Sequence, residues 1–177
     1  MYTTNQQKPK QSRVIQNMAL TRRGRLSLMP IVKYFIGCHL LNNGNVNNYI
    51  HGPICHDAVI FTRFLLGANI TRNQLMNMNG IGWLNQLNYL NGQPWQGNNI
   101  PAGRAVGFRD LNVGQIIHSS ISLGGTRVRG INGLLLGNGW TNAGDCNLGG
   151  LRPVNNNHHY QNPNNPGGNM DVWISNL

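Results

Sequence analysis

The sequence predicts an α+β domain in which N-terminal helices pack on an antiparallel sheet. Two observations lead there. Between residues 55 and 90, apolar residues recur at three- and four-residue steps, the period of a helix. From residue 105 onward they come in short runs, one of them alternating, that end at glycine pairs, the punctuation of hairpins. Helices first and strands after is the order of an α+β fold rather than of an alternating α/β fold. A chain of 177 residues makes one domain by length.

Taken in order, residues 1–25 read as a flexible basic arm and residues 26–177 as the folded domain. Leu26 to Leu41 is a first core segment, a helix or a strand pair. Pro30, Lys33 and His39 interrupt it, and it falls short of the roughly 20 clean apolar residues a membrane span needs. Asn42 to Ile54, with Asn-Asn-Gly-Asn and Gly52-Pro53, is a loop. Cys55 to Leu66 has a helical face at 55, 59, 62–63 and 66, with Gly67 just past its end. Ile70 to Leu90 gives a second helical region, broken by Gly80 and Gly82, and Asn91 to Gly103 is a loop. Ala105 to Phe108 and Gln115 to Leu123 read as strands, the second turning back at Gly124-Gly125 into a return strand over Thr126–Leu136. Asn155 to Asn169 is an Asn/Pro/Gly/His stretch with little core potential, and Val172-Trp173-Ile174 is a final strand. No internal repeat is present.

Composition narrows the chemistry. Charged residues make up 10% of the chain, against about 25% in an average domain, and Asn alone supplies about a sixth. Eleven Arg and three Lys face four Asp (Asp57, Asp110, Asp145, Asp171) and no Glu. Without Glu, an HExxH metalloprotease or a Glu-dependent ADP-ribosyltransferase is excluded. A formal net charge of +10 attracts nucleic acid or anionic membrane without any specific site. The scarcity of lysine also suits a toxin chain delivered into another cell, and the polar, basic opening residues do not read as a cleavable signal peptide.

Three cysteines, Cys38, Cys55 and Cys146, leave at least one thiol unpaired, so thiol chemistry in a reducing compartment is open. Cys55 stands where a helix begins, after a Gly-Pro-Ile turn. The partial positive charge of a helix N-terminus favours a thiolate. A thiol nucleophile also needs an imidazole to carry its proton. His118, inside the apolar strand Ile-Ile-His-Ser-Ser-Ile-Ser-Leu, is the candidate base.

This order of features resembles the papain-like cysteine hydrolases, in particular the compact NlpC/P60-type amidases and related bacterial effector domains. The residues that carry the resemblance are Cys55 opening a helix, the Gly-rich strand Gly103–Phe108, the strand His118-Ser-Ser-Ile-Ser-Leu-Gly-Gly and the return strand Arg127-Val-Arg-Gly-Ile-Asn132-Gly. It spans roughly residues 50–137. It implies a papain-like fold and acyl-enzyme hydrolysis of a protein or peptidoglycan amide, by a peptidase, amidase or glutamine deamidase. It also implies a third residue that orients the imidazole. Asn132 matches that place, with Asp145 and Asp171 as alternatives. Two departures stand out: no Gln precedes Cys55 nearby, leaving Asn47 or Asn48 for the oxyanion, and His56 follows Cys55 where the family usually has a small residue.

Neither a cofactor nor a metal is expected. Cys38-His39, His51, Cys55-His56 and Cys146 lack ligand spacing, and His158-His159 lies in an Asn-rich loop. Two other function classes compete with the hydrolase. One is a basic module for nucleic acid or anionic membrane, in which Cys55 is structural. The other is a nuclease-like toxin using His118 with Arg or Asp.

Overall fold

The computed structural model describes residues 25–141 and 144–177, and most of the basic arm lies outside them. Among the described residues, four helices precede a curled antiparallel sheet: α1 (Arg25–Asn42), α2 (Cys55–Leu65), α3 (Arg72–Asn77) and α4 (Gly80–Leu87). The strands are β1 (Gln93–Pro94), β2 (Ala105–Asp110), β3 (Gln115–Gly124), β4 (Arg127–Gly130), β5 (Cys146–Asn147), β6 (Tyr160–Asn162) and β7 (Asn165–Ile174). Their order in the sheet is β1-β7-β2-β3-β4-β5, with β6 paired to β7. The expected α+β class holds.

The segment read as helix or strand pair is the helix α1. Gly37 lets it approach α2, since a Cβ there would sit 2.9 Å from Leu66 Cδ2. Its C-terminal carbonyls, orphaned by the end of the helix, are taken by side chains of β4 and of the turn that follows it. Arg129 Nη1 donates to Asn42 O at 2.7 Å and to Leu41 O at 3.1 Å, and Trp140 Nε1 donates to Leu40 O at 3.0 Å. At the start of α2, Asp57 Oδ2 accepts from the Ile54 N–H at 3.1 Å, the return half of a capping box. The other oxygen, Oδ1, accepts from the Gly80 N–H at 2.9 Å and so ties the start of α4 to the start of α2.

The sheet has a core on each face. Ala105 and Ile121, opposite one another on β2 and β3, join Val59, Ile60, Trp83, Leu87 and Tyr89 under the helices. Val106 and Phe108 turn the other way, into a second core with Val128, Tyr160, Met170 and Val172 inside the curl of the sheet. Both faces are therefore buried, and the alternation of side chains along a strand assigns each residue to one core or the other.

Two sequence expectations need correction. The return strand ends at Gly130. Beyond it the chain passes into a turn, with Leu134 at φ +48 and both Leu134 and Leu135 exposed. The stretch from Asn155 to Asn169, expected to contribute little to the core, holds β6 and half of β7. Tyr160 and Asn162 are buried there, and β7 is an interior strand bonded to β1, β2 and β6.

Candidate functional site

Cys55 is the first residue of α2 and lies half-buried against the core beneath the helices. Its environment pulls in two directions. Burial, reinforced by the Asp57 carboxylate, pushes the thiol up from its ordinary pKa. The backbone N–H groups of Ser119, His56 and Cys55 itself pull it down, and burial wins. The thiol is thus protonated at rest, in a cradle of N–H donors suited to a negative charge.

The imidazole beside it is His56. Its Nδ1 stands 3.7 Å from Cys55 Sγ and 2.7 Å from Ser119 Oγ. The Tyr89 hydroxyl donates to the same Ser119 oxygen at 2.9 Å, so the Ser119 proton is free to point at Nδ1. With Nδ1 accepting that proton, neutral His56 carries its own on Nε2. Tyr89 is fully enclosed and its phenol is held protonated by burial. Burial also lowers the His56 pKa, with Asp57 opposing, so the ring is neutral near pH 7. His56 lines a cleft of about 680 Å³, together with Ile81, Leu84 and Asn85 of α4, Asn88-Tyr89-Leu90, and Gly114, Gln115 and Ile116 where β3 begins. Among the described residues, none with a permanent charge lines it.

His118 stands elsewhere. It pairs with Phe108 across β2–β3, and its ring stacks on Phe108 with centroids 5.7 Å apart, so it faces the second core while Ser119 faces the helices. Its Nε2 is 3.1 Å from Ser120 Oγ, which donates onward to Leu136 O. The glycines of the following turn close over it: a Cβ at Gly133 would lie 2.3 Å from His118 Nε2. Burial, with the nearby His56 second, pushes its pKa down to about 4. The two residues read from the sequence as a dyad are thus turned to opposite faces of β3, and the structure does not bring them together.

Asn132 sits exposed at φ +60 and uses its N–H on Asn138 Oδ1. Asp145 is bound by Arg127 and Arg129, and Asp171 by Arg109 and the Trp173 indole. None of the three is a hydrogen-bond partner of His118. Asn47 and Asn48 lie exposed in a turn. Asp110 caps the β2–β3 turn, so with Asp57 at the start of α2 all four carboxylates are committed to the scaffold.

Among the described residues, no group of three His, Cys, Asp or Glu side chains is placed to hold a metal ion, and no helix is long and apolar enough to cross a membrane. No family model matches the sequence, and no curated protein matches it. The residues that sequence reasoning passed over are Tyr89 and Ser119. The only signal for them was that Ser119 alternates with Ile121 and Leu123, the face that meets the helices.

Proposed function

We propose that this chain is a cysteine-nucleophile hydrolase of the papain-like kind, with Cys55 as nucleophile and His56 as its proton carrier. The observation that carries the reading is the cradle at the start of α2. A half-buried thiol there faces three backbone N–H groups and stands 3.7 Å from a neutral imidazole. His56 takes the thiol proton on Nδ1, the Ser119 hydroxyl turning its own proton away from that lone pair, as Sγ attacks an amide carbon. The N–H groups then face negative charge developing at the reacting centre. The C–N bond breaks as imidazolium returns its proton to the leaving amine, and water hydrolyses the thioester with His56 as base. The uncharged cleft beside His56 suits a neutral peptide or side-chain amide of a protein or of peptidoglycan.

Acylation by a small active ester, p-nitrophenyl acetate, tests this without a known substrate. The expected result is an acetyl adduct on the Cys55 peptide, formed faster than on Cys38 or Cys146 and slowed about 100-fold or more by His56→Ala. Cys55 acylating no faster than Cys38 sinks the hydrolase reading. Loss of acylation in His118→Ala but not in His56→Ala returns the role of base to the strand histidine.

A further inference from the structure

We propose that the outer face of α1 docks on an anionic lipid bilayer. The helix sequence is apolar nearly all round, yet among its described side chains only one side packs on the domain: Gly37 and Leu40 are buried, and Ile36 and Leu41 lie against the helix-side core. Ile31, Tyr34 and Phe35 are 52%, 55% and 67% exposed. They occupy one face at i, i+3 and i+4. A helix with apolar residues on a second, uncovered side is built for another apolar medium.

Charge selects the partner. Residues 1–56 contain Lys8, Lys10, Arg13, Arg22, Arg23, Arg25 and Lys33 and no acidic residue. Arg22, Arg23 and Arg25 precede Ile31 by six to nine positions in the sequence. The rest of the molecule offers much less free charge. Arg63 and Arg104 are spent on backbone carbonyls and Arg109, Arg127 and Arg129 on carboxylates. A second copy of this chain would bring an equal block of cations against the first, which argues against self-association through this face. Exposed aromatic and aliphatic side chains beside a one-signed basic segment match an interface of anionic headgroups over acyl chains. Since no described helix is long and apolar enough to span, α1 lies along the surface.

The test is co-sedimentation of the full chain with phosphatidylcholine vesicles, with and without phosphatidylserine, at low and high salt. The full chain is expected to partition onto the phosphatidylserine vesicles and to be released by salt. Tyr34→Ser/Phe35→Ser is expected to lower that partition about tenfold or more, and Arg22→Gln/Arg23→Gln/Arg25→Gln by about fivefold per cation removed. Val113→Ser, at an equally exposed apolar residue in the β2–β3 turn, controls for generic stickiness and is expected to change nothing. Thermal unfolding confirms that each surface variant is folded. Equal binding to both vesicle types overturns the proposal, as does full binding by Tyr34→Ser/Phe35→Ser or an equal loss in Val113→Ser.

Discussion

His56 and Ser119, 63 positions apart in the chain, meet with Nδ1 2.7 Å from Oγ. The same oxygen receives the hydroxyl of Tyr89, which is completely enclosed. Ser119→Ala therefore strands a buried phenol and frees the imidazole. The expected cost is about 1–3 kcal/mol in urea unfolding, the range for an orphaned buried donor. Adding Tyr89→Phe removes the orphan, so the double variant should lose less than the sum of the two single losses. Strict additivity would mean that the three side chains do not act as one chain of hydrogen bonds.

Stability should fall as the solution is acidified below about pH 6.5. His118 has its pKa pushed down to about 4 and His56 is also lowered, while the unfolded chain titrates near 6.5. The unfolded state therefore binds more protons in that window. The contribution is fully present above pH 6.5 and is lost as pH falls toward 4. For His118, which is almost wholly buried, the drop amounts to about 3 kcal/mol. Urea midpoints at pH 7, 5.5 and 4.5 check it. His118→Asn is expected to lower stability at pH 7 yet flatten most of the acid limb, and an unchanged limb would remove His118 as its source.

What the sequence made legible was local. The turn at Gly52-Pro53, the face beginning at Cys55 and the glycine past Leu66 bound α2 through contacts within a few residues. Gly124 and Gly125 close the β3–β4 hairpin at φ +99 and +63, values that suit glycine. What stayed hidden was set by distant partners. Asn165-Pro-Gly-Gly-Asn reads as turn, but it opens a strand because β6 pairs with it, Asn162 with Asn165 and Gln161 with Asn169. The alternation of Ser119, Ile121 and Leu123 against His118, Ser120 and Ser122 did divide β3 into two faces. It could not say which face the helices cover, because the curl buries both. His56 lay beside Cys55 in plain view, but its significance rests on Ser119 and Tyr89, which only the fold brings to it.

Arg129 is the polar hinge between helix and sheet. Its guanidinium holds Asp145 through Nε and Nη2, at 2.8 and 2.9 Å, while Nη1 serves the end of α1. Removing it leaves Asp145, itself little exposed, with only the largely solvent-exposed Arg127. Arg129→Ala is expected to cost about 3–5 kcal/mol, as for breaking one half of a buried ion pair. Arg127→Ala, at the exposed end of the same carboxylate, should cost less than about 1 kcal/mol. Arg129→Lys keeps the charge but cannot reach both partners at once, so it should recover only part of the loss. Equal costs for Arg127→Ala and Arg129→Ala in denaturant unfolding would contradict the geometry.

Gly133 tests where the His118 ring lies. Its backbone, at φ −96 and ψ 0, suits any residue, so the demand for glycine is one of space alone. A Cβ would stand 2.3 Å from His118 Nε2 and 2.5 Å from Gly137 O. Gly133→Ala should cost about 1–3 kcal/mol by overpacking, whereas Gly150→Ala, with nothing within 4 Å, should fall within about 0.5 kcal/mol of neutral. In a His118→Ala background one of the two obstacles is gone, so the penalty at Gly133 should shrink while the clash with Gly137 O keeps it above zero. A penalty that does not change between the two backgrounds would mean that the ring does not rest under this turn.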